Sequence, residues 1–258
     1  MDWIDTHAHL NSDHFEGPLG EVLRRAKEAS VIRILVIGTN REDSERAVQL
    51  AREYPQLAAI VGIQPNNLNE AKPTDFDQIV TLADDPTVVA IGETGMDRYW
   101  KTVPIPLQRD FFWRHLELAH LRDLPVVIHC REAEEDIVEV LKEFSQKLGK
   151  PIAGVMHSYA GDEATARACL ALGLHLSFAG MLTFKKNQVL RDVAAIVPLD
   201  RLLVETDTPY LSPEPFRGKP NEPARVIHTG ACLAQIHGKS IEEMAAITTD
   251  NARNLFKV

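Results

Sequence analysis

Met1-Asp2-Trp3-Ile4-Asp5-Thr6-His7-Ala8-His9 opens the chain, and its reading decides the fold. The run alternates, as a first β-strand ending in two imidazoles would. Strand side chains repeat every two residues, so Asp5, His7 and His9 are expected on one face. Two neutral imidazoles side by side at a strand end form a metal chelate. Farther along, Glu93, His129, His157 and Asp207 each stand at or near the end of an apolar run. Ligand-type residues gathered at strand ends point to a metal-dependent hydrolase built on a barrel.

Eight apolar, β-branched runs recur, around Trp3 to Thr6, Ile32 to Ile37, Ala58 to Ile63, Val88 to Gly92, Val126 to His129, Ile152 to His157, His175 to Phe178 and Leu202 to Glu205. Helical spacing between them predicts helices over Leu19 to Ser30, Asp43 to Tyr54, Leu107 to Leu121, Ile137 to Leu148 and Asp162 to Leu172. The Leu107 segment reads as strongly amphipathic. Ser240 to Val258 reads as one or two closing helices, and Pro213, Pro215, Pro220 and Pro223 mark a stiff loop after the eighth strand. Near-continuous apolar strands alternating with helices imply a parallel sheet. Eight such units imply closure into an α/β, single-domain (β/α)8 TIM barrel over residues 1–258. Active residues of such barrels lie at the C-terminal ends of the strands, where all the candidate ligands fall.

Composition sets the frame. The 258 residues are 45% hydrophobic and 25% charged, ample for one core. No apolar stretch is long enough to span a bilayer, and the chain starts directly in a strand without a signal-like leader. A cytoplasmic protein without membrane association is expected, with a monomer favoured. The three cysteines, Cys130, Cys169 and Cys232, lack the spacing of a disulfide framework. A net charge of -9 disfavours binding nucleic acid over the whole surface. It leaves room for a local site, because metal ions bring their own positive charge.

A carboxylate can bridge two cations, whereas an imidazole normally serves one. Glu93 is the natural bridge. His7, His9 and Asp207 would then hold one ion, and His129 and His157 the other. Paired cations clamp the attacking and leaving oxygens of a displacement and acidify a water shared between them. Asp207 is placed to take that water's proton. Four imidazoles with two carboxylates suit Zn or Mn on ligand softness, with Mg also open. Taken singly, a strand-end histidine is more often a core or capping residue; the joint pattern reverses that reading. His14, His115, His120, His175, His228 and His237 lie in other contexts and receive no catalytic role. Strand parity turns Cys130 away from His129, as a buried inert thiol. Glu205 shares the parity of Asp207 one layer deeper, and Arg131 shares the face of His129, so an ion pair between Glu205 and Arg131 is expected.

These residues carry a resemblance that runs nearly end to end. Ile4-Asp5-Thr6-His7-Ala8-His9-Leu10, Ile91-Gly92-Glu93-Thr94-Gly95-Met96-Asp97, Pro125 to Ala133, Met156 to Gly161, Leu203 to Leu211 and Gly218 to Pro223 match in order. The chain resembles the TatD family of metal-dependent deoxyribonucleases, within the amidohydrolase superfamily. The resemblance implies a barrel with two divalent cations that cleaves phosphodiesters, often as a 3'-5' exonuclease. One departure stands out. Where the family shows Gly-x-His-Pro-His after the third strand, this chain has Gly62-Ile63-Gln64-Pro65-Asn66-Asn67. Gln64 and Asn66 still donate hydrogen bonds to phosphate but cannot become cationic.

Phosphate needs positive partners, and Arg131, Lys185 and Arg217, with Gln64 and Asn66, are the substrate-contact candidates. Arg98, Lys101, Lys186 and Lys219 lie in or near the same loops. Tyr99, Trp100 and Phe184 are candidates for stacking on bases. The leading expectation is hydrolysis of phosphodiesters in single-stranded or frayed DNA ends, with Glu93 and Asp207 catalytic. The alternatives are an ester or amide hydrolase on the same metals, such as an aminoacyl-ester hydrolase, and a metal-stabilised binding protein without turnover.

Overall fold

A computed structural model describes residues 1–12 and 17–258. The expectation at His14 lies outside the described residues. Eight parallel strands pair in chain order: β1 (Trp3–Ala8), β2 (Val31–Ile37), β3 (Leu57–Val61), β4 (Val88–Asp97), β5 (Val126–Arg131), β6 (Gly154–Met156), β7 (His175–Phe178) and β8 (Leu202–Val204). β8 returns to β1 through an Ala8–Thr208 bridge, where His9 N donates to Thr208 O (2.8 Å) and Asp207 N to His7 O (2.9 Å). The result is the expected (β/α)8 barrel.

Nine helices surround it among the described residues: α1 (Leu19–Glu28), α2 (Arg41–Glu53), α3 (Asp75–Leu82), α4 (Ile105–Arg122), α5 (Glu134–Leu148), α6 (Glu163–Ala171), α7 (Gln188–Ile196), α8 (Val226–Ile236) and α9 (Ile241–Phe256). Local chemistry starts several of them. Asn40 and Asp162 cap α2 and α6 by accepting from Asp43 N and Thr165 N, and Ser240 with Glu243 forms a capping box on α9. The tail is therefore one helix. α3 and α7 fill segments that the strand-helix alternation assigns to helix without bounds, and α8 lies beyond that alternation. α4 is less one-sided than its periodicity suggests: Trp113 leaves the barrel side to pack edge-to-face on Phe144 of α5 (5.2 Å). None of the described helices is long and apolar enough to cross a membrane.

Two buried layers follow from strand alternation. Ile4, Leu35, Ile37, Ala58, Ile60, Ala90, Val127, Val155 and Leu203 fill the barrel, closed at one end by Ala252, Leu255 and Phe256 of α9. Trp3, Ala8, Val36, Val61, Ile91, Ile128 and Phe178 face the helices instead. There Trp3 presses on Gly230 of α8, where a Cβ would lie 2.2 Å from the indole. The barrel interior is thus packed at one end, and the open chemistry is left to the other.

Candidate metal centre

Three ligand-type residues extend the interior parity of their strands. Val127 leads to His129, Val155 to His157, and Leu203 through Glu205 to Asp207. The other three need a break in the sheet. Ile4 faces the interior while Ala8 faces the helices, and the β1–β2 register shifts between Asp5 and Ala8. That shift brings His7 and His9 inward. Asp5 does not join them, contrary to the simple alternation. Its carboxylate is held at β8, accepting from Thr206 N (2.9 Å), Thr206 Oγ1 (2.6 Å) and His7 N (3.3 Å). Burial outweighs those bonds and pushes the Asp5 carboxyl up to about 8. β4 repeats the device. Ala90 faces inward, the register against β5 shifts between Ile91 and Thr94, and Glu93 turns into the centre. Gly62 permits the approach: a Cβ there would lie 2.5 Å from the Gly92 carbonyl carbon.

All six side chains meet at one barrel mouth. Glu93 is central. Its Oε2 lies 3.6 Å from His7 Nε2 and 3.9 Å from His9 Nε2. Its Oε1 lies 2.9 Å from His129 Nδ1 and 3.2 Å from His157 Nε2. Asp207 Oδ1 lies 3.4 Å from His9 Nε2 and 3.8 Å from His7 Nε2. The ligand-type atoms fall into mutually close sets: His7, His9 and Asp207; Glu93, His129 and His157; and His7, His157 and Glu205. Asp207 has a left-handed backbone (φ 57°), a conformation that Asp tolerates better than most residues.

Outer contacts orient the rings. Asp97 Oδ2 lies 2.9 Å from His129 Nε2, so His129 offers Nδ1 inward. Glu205 Oε1 lies 3.3 Å from His157 Nδ1 and accepts from Ser158 N at 2.8 Å, so His157 offers Nε2. Glu205 therefore serves His157 and does not pair with Arg131. Arg131 instead lies over Tyr99, its guanidinium carbon 3.6 Å from the ring centroid.

Burial disfavours charge throughout the centre, and pairing works against that penalty at most of its groups. Against desolvation, His157 and the hydrogen bonds from His129, His157 and His7 hold Glu93 well below the usual carboxylate range. Against the same penalty, Glu93 and Glu205 hold His157 well above the usual imidazole range. Burial and the nearby His157 push His7 down. The donor set fits divalent cations. Four imidazole nitrogens crowd around two carboxylates, including two Nε2 atoms 3.2 Å apart on His7 and His9, and a cation resolves that crowding.

The centre opens into a cleft of about 890 Å³ lined by His9, Glu93, His129, His157 and Asp207. Of the substrate-contact candidates, Gln64 and Arg131 line it. Asn66 turns away, its Nδ2 donating to Asp97 Oδ2 at 3.0 Å. Lys185 is exposed and Arg217 covers Phe184 (3.7 Å); neither is among the lining residues. Ser12, Thr39, Asn40, Asp43, Asn67 and Tyr210 were not anticipated there. They are ordinary polar residues of loops, a short 3-10 turn and the first turn of α2, with no signature before the chain is folded. Cys130 packs against the outer apolar layer and burial pushes its thiol far up, but it is half-buried rather than buried and also borders the cleft.

A (β/α)8 barrel with imidazoles and carboxylates converging at its C-terminal mouth defines a metal-dependent hydrolase. The family model for TatD related DNase matches residues 4–257. A metal-dependent hydrolase of Bacillus subtilis, YabD, is 40% identical over 99% of both chains. An Erwinia tasmaniensis protein named 3'-5' ssDNA/RNA exonuclease TatD is 36% identical, over 99% of this chain and all of its own. The crystal structure of a TatD homologue from Escherichia coli K12 superposes with a TM-score of 0.93 at 31% identity, over 99% of this chain and 98% of that one. The chain belongs to the TatD family.

Proposed function

We propose that the protein hydrolyses phosphodiester bonds at single-stranded or frayed DNA ends, as a 3'-5' exonuclease. The observation that carries this reading is Glu93 between two imidazole groups, one on each carboxylate oxygen. His7, His9 and Asp207 would hold one divalent ion, and His129 and His157 a second, with Glu93 shared. Such ions supply Lewis-acid charge for a phosphoryl oxygen and a nucleophilic water near neutral pH. Asp207 accepts the proton from the attacking water, its Oδ1 facing the centre beside His9. Glu205 and Asp97 keep His157 and His129 in the tautomers that leave inward nitrogens free.

The charge of the cleft supports an end rather than a long duplex. Arg131 is the one Lys or Arg among the described lining residues, and Asp43 stands opposite in sign. A polyanion tracked over many phosphates needs a row of cations. A single scissile phosphate needs only metal charge and one arginine.

The test strips the protein with a chelator and restores Mg, Mn or Zn separately. Release of mononucleotides from the 3' end of a labelled single strand is expected. Hydrolysis of aminoacyl or aryl esters without cleavage of oligonucleotides or bis(p-nitrophenyl) phosphate would instead assign an ester hydrolase. No turnover of either class with any metal would assign a binding protein.

A further inference from the structure

Tyr99 and Trp100 follow β4 and are 45% and 53% exposed, unusual for large aromatics beside a buried polar centre. Trp100 lines the cleft together with His129 and Arg131. The two rings meet edge to face, centroids 4.9 Å apart at 89°. Arg131 covers Tyr99 at 3.6 Å and stands 5.6 Å from the Trp100 centroid. Tyr99 is thereby engaged by the guanidinium, while much of Trp100 stays open. Below the rings, Asp97 Oδ1 accepts from both Tyr99 N and Trp100 N at 2.9 Å. The other oxygen of that carboxylate holds His129. The aromatic pair is therefore fixed to the metal-site framework rather than carried on a free loop.

We propose that Trp100, backed by Tyr99 and Arg131, is a stacking platform for one unpaired nucleobase of the substrate. This rests on the nuclease reading above and names how that site selects its substrate. A base inside a duplex already has both faces stacked, so only an unpaired base can lie on the indole. Stacking accepts any base, because each presents a π-face, and it does not read the sugar. With a single arginine in the cleft, stacking supplies affinity that phosphate contacts lack. Arg131 is placed to meet the phosphate next to the stacked base.

The test has two arms on metal-loaded protein. In the first, an oligonucleotide carries an abasic nucleotide at each of its three 3'-terminal positions in turn, and kcat/KM is measured for wild type, W100A and W100F. At one position the missing base should cost the wild type about 5- to 150-fold. W100A should show little further loss there, and W100F should keep most of the discrimination. In the second arm, tryptophan emission is followed during titration with dAMP or deoxyribose 5-phosphate. Trp3 is buried and Trp113 half-buried against Phe144, so Trp100 is the tryptophan a base can reach. Quenching by dAMP alone, absent in W100F, is expected. Cleavage by the wild type with equal abasic losses in W100A and no specific quenching overturns the platform. Quenching by dAMP without cleavage of any oligonucleotide overturns the nuclease reading and leaves the platform standing. Neither quenching nor cleavage overturns both.

Discussion

His7 and His157 lie face to face, ring centroids 4.0 Å apart and planes within 7°, although they come from β1 and the end of β6. Two stacked imidazoles at that distance resist being cationic together, and the influence of His157 on His7 runs in that direction. Of the four imidazoles around Glu93, His7 is the one pushed down, while its carboxylate neighbours raise His9, His129 and His157 against burial. A cation bound among these nitrogens would compete with protons for them, so metal affinity should fall as pH falls.

Asp207 gives the first prediction. Asparagine also tolerates a left-handed backbone, so Asp207→Asn should keep the strand-end geometry. Circular dichroism should be unchanged. Loss of the proton acceptor should lower kcat by about 10²- to 10⁴-fold at saturating metal. Turnover near that of the wild type would remove Asp207 from the mechanism.

The carboxylates behind the rings give the second. Glu205→Gln and Asp97→Asn each weaken the hold on one inward-facing imidazole. Metal affinity, read by competition with a chromogenic chelator, should fall about 10- to 100-fold in each. Unaltered affinity in both variants would mean that the rings are positioned by packing alone.

Gly62 gives the third. A methyl group there meets the Gly92 backbone at 2.5 Å, at the break that turns Glu93 inward. Gly62→Ala should destabilise the fold by about 1–3 kcal/mol and weaken metal binding through Glu93. Urea denaturation and the same chelator competition check both halves. A variant with normal stability and affinity would show that β3 can yield without moving Glu93.

The fourth concerns acid stability away from the metals. His115 accepts from Ile63 N (3.0 Å), its Nδ1 faces Phe111 O (2.7 Å), and burial pushes its pKa down from 6.5 to about 4. The unfolded chain then binds more protons than the folded one between those values. The stabilisation is complete above about 6.5 and is lost as pH falls toward 4, by at most about 1.4 kcal/mol per pH unit. His115→Gln should flatten that part of the denaturation profile between pH 6.5 and 4.5. An unchanged slope would place the acid sensitivity elsewhere, for example at His175, also lowered by burial to about 4.

The barrel was legible because its strands are apolar on both faces and its helices mostly keep one apolar stripe. α3 and α7 follow from the alternation only without bounds, because each is short, and α8 lies after the eighth strand, where the alternation gives no guide. At the centre, His129, His157 and Asp207 follow from alternation with Val127, Val155 and Leu203. The inward turn of His7, His9 and Glu93 does not, because it depends on register shifts in β1 and β4 that leave no mark in a two-residue period. The same limit misplaced Asp5. Asn66 could not be separated from Gln64 by sequence, since only the folded loop shows that Asn66 faces Asp97 while Gln64 faces the cleft.

Asp97 has one oxygen on His129 and the other on the backbone of Tyr99 and Trp100. Descendants of this enzyme therefore have little freedom to change the β4 loop alone. A lengthened or re-angled loop would tug the carboxylate and disturb an imidazole of the reacting centre. Selection for new substrates should act first on loops without such a tether, such as the one carrying Met181, and directed libraries built there should lose fewer members to inactivation.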